Sequence, residues 1–151
     1  MAAITEKDFD EFLVEVKPKL MKAFLGALGP NRADDALSAS LEWAFRNQHR
    51  LESIDNPTGF LYRVGASRSV PPKEPNALAV PANEAMPEFE PRLVPALLNL
   101  PDTQRTAVWL IHGCGWTYPA AADAMGIGES TVGTHASRGL LALRRNFKEM
   151  S

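Results

Sequence analysis

Apolar residues recur at spacings of three and four near the start of the chain: Phe9, Phe12, Leu13, Val16, Leu20, Phe24 and Leu28. That period predicts an amphipathic helix. Thr5 is placed to cap it, with Asp8 where a capping box prefers Glu. Pro18 falls inside the pattern and is expected to kink or split the helix near Val14, whose carbonyl loses its amide partner. Gly29-Pro30-Asn31 ends the run, and a second helix is expected from about Ala33-Asp34-Asp35, whose carboxylates suit a positive helix end. Leu37, Leu41, Ala44, Phe45 and Gln48 form its predicted inner stripe. Trp43 lies off that stripe, so it either meets a partner or fills a neighbouring groove. Asn56-Pro57 signals a third helix, with Asn56 as cap and Pro57 at the first helical position. Phe60, Leu61 and Val64 then face inward, and Pro71-Pro72 stops it.

The pattern changes over residues 71–91, where six prolines and four glutamates meet few large apolar side chains. Such a segment reads as an extended linker, able to span on the order of 60 Å at roughly 3.1 Å per residue. The alternative is a loop packed over one merged helical domain. Helical periodicity resumes at about Arg92, with Leu93, Leu97 and Leu98 apolar. Leu100-Pro101-Asp102 breaks the chain again, and Asp102 is placed to cap a helix carrying Ala107, Val108 and Ile111 inward with Trp109 partly exposed. The expected fold is all-α: two small helical bundles, residues 1–70 and 92–151, joined by the Pro-rich linker 71–91.

Residues 116–138 organise the second bundle. Thr117 can cap a short helix that tolerates Pro119 in its first turn, because amides there lack internal partners. Ala121, Ala122 and Met125 give it a small inner face. Gly126-Ile127-Gly128 turns the backbone sharply, and Ile127 can plug the angle between helices. The following helix, from about Glu129, keeps Val132, Ala136, Leu140 and Leu143 on one side. Its other side offers Ser130, Gly133, Thr134, Ser137 and Arg138, which are small or hydrogen-bonding. This is a helix-turn-helix whose second helix is slim enough for a DNA major groove.

Charge sharpens the reading. The chain carries −2 overall, which at first argues against nucleic acid. Residues 1–70 hold nine Lys/Arg and ten Asp/Glu, residues 71–91 one and four, and residues 92–151 six and four. The +2 part therefore coincides with the helix-turn-helix, yet so small an excess predicts weak DNA binding by this bundle alone. No apolar run approaches membrane-spanning length and the N-terminus lacks a basic start before an apolar block, so a cytoplasmic protein with no membrane partner is expected. Cys114 is the sole cysteine, and His112 beside it lacks further ligands, so neither a disulfide nor a metal is implied. His49, His112 and His135 are scattered, no phosphate loop occurs, and the carboxylates sit at helix starts or on solvated faces. Nothing here reads as an enzyme, and no cofactor is implied.

The order Leu100-Pro101, Arg105, Gly115-Trp116-Thr117-Tyr118, Gly126-Ile127, Thr131-Val132, Arg138 and Leu143-Arg144-Arg145 resembles the promoter-reading region four of bacterial sigma factors, closest to the extracytoplasmic-function group. Pro18 within the first helix, Ala33-Asp34-Asp35 before the second, and Asn56-Pro57 with Phe60-Leu61-Tyr62-Arg63-Val64 resemble region two of the same group. The resemblance implies partners, RNA polymerase core and promoter DNA. It implies polymerase binding through Asp35, Ser38, Leu41 and Glu42, and DNA binding through Ser130, Thr131, Gly133, Thr134, Ser137, Arg138, Arg144 and Arg145. Departures cluster where those partners would be touched. Ser38 and Ala39 replace the usual Gln-Glu pair, Gly133 a basic residue and Ala120 an acidic one. The polar and basic stretch that captures the minus-ten element is shortened, since Ser67-Arg68-Ser69-Val70 runs into Pro71. Two functions follow from the resemblance: a factor that directs polymerase to promoters, or a sigma-like regulator that works by protein contacts alone, as polymerase accessory, adaptor or anti-sigma decoy.

Overall fold

A computed structural model of the protein describes residues 6–69 and 91–149. Within them the chain is helical, and no strand occurs. Four helices come first: α1 (Glu6–Leu28), α2 (Pro30–Arg46), the single turn α3 (Gln48–Leu51) and α4 (Pro57–Arg68). After residue 90 follow α5 (Leu93–Leu98), α6 (Asp102–Val108), α7 (Tyr118–Met125) and α8 (Glu129–Glu149). A π-helical turn over Trp109–Gly113 extends α6. The capping role expected of Thr5, and the linker apart from Pro91, lie outside the described residues.

Of the stripe its period predicts, α1 buries Phe9, Val16, Leu20 and Phe24 and half-buries Phe12, Leu13 and Leu28. Pro18 does not split it. The helix runs unbroken through the proline, which stands on the exposed face beside Val14 and Lys17, where water can serve a freed carbonyl. Gly29, at φ 87°, then reverses the chain so tightly that α2 starts at Pro30 rather than at Ala33.

The inner face of α2 differs from the expected stripe. Ala33, Ala36, Ser40, Trp43 and Ala44 are buried, Leu37 and Leu41 are half-buried, and Phe45 is 68% exposed. Small residues win this face because α1 and α4 both pack closely against it. Ser40 tolerates complete burial by donating its hydroxyl to the Leu61 carbonyl at 2.6 Å. Trp43 is a groove filler, its ring 4.9 Å from that of Phe60 and covered by the Arg50 guanidinium. Gly65 of α4 completes the approach: a Cβ there would strike the Ser40 hydroxyl and the Ala36 carbonyl and stand 2.6 Å from Phe24 Cζ.

The core does not stop at residue 69. Phe24 stacks on Tyr62 at 5.0 Å, and Tyr62 meets Trp116 edge-on at 5.8 Å, so aromatic packing passes from α1 through α4 to the start of the helix-turn-helix. The helices on either side of residues 70–90 therefore share one continuous core.

Gly65→Ala should destabilise the protein by about 1–3 kcal/mol despite alanine's better helix propensity, because three neighbours occupy the space of the new methyl. Gly133→Ala, whose nearest neighbour is Tyr118 at 3.7 Å, should instead raise stability by up to about 1 kcal/mol. Urea unfolding of the two variants beside the parent chain checks both signs.

Candidate nucleic-acid interface

The helix-turn-helix forms as its residues dictate. The Thr117 hydroxyl accepts the Ala120 amide at 3.2 Å, closing the N-terminus of α7, and Pro119 sits harmlessly inside that first turn. Gly126 ends α7 in the left-handed region at φ 69°, and its amide and that of Ile127 both donate to the Ala122 carbonyl, at 2.8 and 3.1 Å. Gly128 immediately precedes α8, its carbonyl accepting the Val132 amide at 3.0 Å.

α8 divides cleanly into two faces. Val132 and Ala136 are fully buried, Leu140 and Leu143 half-buried, and Gly139 lies so close to α6 that a Cβ would stand 2.7 Å from the Gln104 carbonyl. On the other face Ser130, Thr131, Thr134, Ser137 and Arg138 are exposed, with Gly133 half-buried beside Tyr118. Thr134 uses its hydroxyl proton on the Ser130 carbonyl at 3.1 Å, which leaves its lone pairs free as acceptors. Arg144 and Arg145 are exposed one to two turns further on. The end of α8 is held against α5, where the Asn146 amide donates to the Ala96 carbonyl at 3.2 Å and Arg92 covers the Phe147 ring. All eight residues expected to bind DNA thus lie along one helix, seven of them exposed and Gly133 lining a shallow step.

The other expected surface lies on α2. Asp35, Ser38 and Glu42 are exposed on its outer side, Leu41 is half-buried beneath them, and Glu42 pairs with Arg46 at 3.0 Å. That pair is fully at the surface, so it orders the helix face more than it stabilises it.

Between these surfaces runs a seam that sequence patterns do not mark. Trp109, expected to be partly exposed, is 5% exposed. Its indole lies in the space a Cβ of Gly26 or Gly113 would fill, and its Nε1–H donates to the Lys22 carbonyl at 2.9 Å. Arg105, also buried, donates from Nε to the Ala27 carbonyl at 2.6 Å, satisfying a carbonyl at the C-terminal end of α1 where a cation is favoured. The same guanidinium holds the Leu100 carbonyl at 3.2 Å and the Asp102 carboxylate at 2.6 Å. Asp102 therefore spends itself on Arg105 and does not cap α6, whose N-cap position is Pro101. Arg105 was visible in the sequence as part of a motif, but its partner 78 residues away was not.

Two titratable groups report how dry the seam is. Burial pushes the Tyr62 phenol well above its usual range, and its hydrogen bond with the Thr106 side chain only partly offsets that. Burial likewise pushes the half-buried Cys114 thiol up to about 12, against a smaller lowering by Lys22 of α1. Such a thiol is protonated near neutral pH and chemically quiet. His112 and Cys114 gather no third ligand, and no group of three His, Cys, Asp or Glu among the described residues could hold a metal. None of the described helices is long and apolar enough to cross a membrane.

Comparison with known proteins agrees with this architecture. Residues 92–143 match the family model of sigma-70, region 4, which takes in α5 through most of α8. No curated protein matches the chain. Among solved structures, the sigma factor RpoE of Bartonella quintana, crystallised in complex with the anti-sigma factor NepR, matches with a TM-score of 0.75 at 21% identity, over 94% of this chain and 98% of that one. The chain thus matches sigma-70 region 4 over residues 92–143 and shares, over nearly its whole length, the fold of the Bartonella sigma factor.

Proposed function

We propose that the protein is a cytoplasmic transcription initiation factor of the extracytoplasmic-function type. In this reading it binds RNA polymerase core through α2 and directs it to promoter DNA through α8. The observation that carries the reading is the outer face of α8. Five exposed hydroxyl-bearing or cationic side chains and one glycine sit on a helix whose inner face is fully committed to packing. Groove reading requires such a helix: slim, polar and rigidly held. Residues 6–69 act as the region-two module, and the exposed line Asp35, Ser38 and Glu42 is the acidic surface offered to polymerase. An anti-sigma factor, as in the complex of the Bartonella protein, is the natural antagonist of such a chain.

The competing reading, a sigma-like regulator acting by protein contacts alone, has its own support. α4 ends at Arg68, and Gly133 stands where a groove-reading helix gains from a cation. Incubating the chain with core polymerase and a promoter library separates the two. Transcripts sharing an upstream sequence support the initiation factor, and binding to polymerase or to an anti-sigma factor without transcripts supports the regulator.

Charge reversal at Asp35 and Glu42 together should weaken capture of core polymerase by on the order of tenfold, read in a titrated pull-down. Unchanged capture would move the contact off this face of α2.

On α8 the expectations are sharper. Arg138→Ala should cost roughly 1–3 kcal/mol and relax preference at one base pair if the guanidinium grips a base edge. If it touches phosphate, the loss should be uniform across sequences and the salt dependence should shrink. Gly133→Lys should strengthen binding and steepen the dependence of log K on log salt by about 0.9, one added phosphate contact. The space beside Tyr118 admits the new side chain. DNA binding untouched by both substitutions would remove α8 from the DNA interface.

A further inference from the structure

The chain has two tyrosines, and the fold uses them in opposite ways. Tyr62 is buried, its ring against Phe24 and Trp116 and its hydroxyl engaged by Thr106. Tyr118 is 45% exposed, and among the described residues its hydroxyl has no hydrogen-bond partner. Core packing therefore does not account for it. A ring seated on the protein with its polar tip unspent suits a contact that is apolar at one end and wet at the other.

Its place in the helix-turn-helix says what that contact is. Tyr118 opens α7, directly after the Thr117 cap. Its ring lies beside the middle of α8, where a Cβ at Gly133 would meet only Tyr118, at 3.7 Å from Cε1. Ser130 and Ser137, one turn to either side of Gly133, are exposed, so the ring borders the outer face of α8. In a helix-turn-helix the second helix lies in the groove while the first crosses the strand at its edge. A side chain at the start of α7 then meets the sugar-phosphate backbone and not the base edges.

Other donors at this edge are spent or missing. The Ala120 amide goes to Thr117 Oγ1 and the Ala121 amide to the Thr117 carbonyl, while Pro119 has none. The Thr117 hydroxyl is turned to the helix as its cap. α7 carries no Lys or Arg, and Gly133 supplies no side chain. The phenol is the long-reaching donor left at the start of α7.

We propose that Tyr118 contacts the DNA backbone. With α8 in the major groove, its hydroxyl donates to the phosphate that a cation at position 133 would otherwise neutralise. The proposal rests on the reading of α8 as the groove helix and adds to it an uncharged contact from α7. Charge makes the two kinds of contact distinguishable. A Lys or Arg on a phosphate releases condensed counterions, so its loss flattens the dependence of log K on log salt. A neutral hydroxyl releases none, so its loss lowers K by one factor at every salt concentration.

The test is binding of the full chain to a short fluorescent duplex of arbitrary sequence, followed by anisotropy over a salt series. Tyr118→Phe keeps the ring beside Gly133 and removes only the hydroxyl, so urea unfolding should match the parent chain. It should weaken binding about tenfold. The factor should be the same on a second, unrelated duplex, and the salt slope should be that of the parent. In the Gly133→Lys background the same substitution should cost about twofold or less, because the lysine has taken the phosphate. Unchanged affinity in Tyr118→Phe overturns the proposal. So does a flattened salt slope, which traces the loss to displaced cations. A loss confined to one duplex, or undiminished in the Gly133→Lys background, overturns it too. Arg138→Ala, measured in parallel, separates this from the reading of α8. If Arg138→Ala and Gly133→Lys both bind like the parent, α8 is not the groove helix and the proposal falls with that reading. If they change binding and Tyr118→Phe does not, Tyr118 alone is removed from the interface.

Discussion

The helices on the two sides of residues 70–90 pack around one indole. Trp109 occupies a slot that exists only because Gly26 and Gly113 lack side chains. The π-helical turn that begins at Trp109 is part of the same device, since the Cys114 amide reaches back five residues to the Trp109 carbonyl at 2.9 Å. That wider turn carries Gly113 past the ring and delivers Trp116 to Tyr62. Fixing this ring sets how α6 lies on α1, and because α6 packs along α8, it also sets where the outer face of α8 points. Position of the site and integrity of the core are thus one constraint.

The helix-turn-helix itself depends on smallness in a different way. Ala121, Ala122, Ala124, Ala136 and Gly139 let α7, α8 and α6 approach closely, so a compact module forms from few large side chains. The same economy governs the outer face, where hydroxyls and a glycine replace the long cations common in DNA readers. A slim face allows close approach to base edges but neutralises little phosphate. Under the proposed function, affinity would then come from elsewhere in the assembly, which a factor carried to DNA by a large, independently binding polymerase can tolerate.

Local chemistry made part of this legible from residues alone. Asn56 and Thr117 accept the amides that capping predicts, Gly126 takes the left-handed turn, and the stripes of α1 and α8 are buried or half-buried along their whole period. Each of these depends on neighbours within four positions. The inner face of α2 departs from its apolar pattern because bulk is a poor guide where helices pack closely. Ala33, Ala36 and Ser40 fit between α1 and α4, whereas Leu37 and Leu41 are pushed to the flanks and Phe45 to the surface. The seam was hidden for a stronger reason. Its bonds join Lys22 to Trp109 and Ala27 to Arg105, across 87 and 78 residues, and no periodicity encodes a pairing at that distance.

A glycine inside a helix is one trace that such pairings do leave. Gly26, Gly65, Gly113 and Gly139 each sit in a helical segment, where an alanine would stabilise the isolated helix by about 1 kcal/mol. In the fold each space is already filled, by the Trp109 indole, the Ser40 hydroxyl, the same indole again and the Gln104 carbonyl. Two of the four therefore serve a single tryptophan. A helical glycine with no turn to make is a place where something else comes close, and in this chain those places outline both the packing of α2 on α4 and the seam. Gly133 is the exception. It too is helical, yet a Cβ there would meet only Tyr118 at an ordinary contact distance, so core packing does not account for it. The open step it leaves faces outward beside Thr134 and Ser137. If α8 reads DNA as proposed, this half-buried backbone belongs to the binding surface and not to the core.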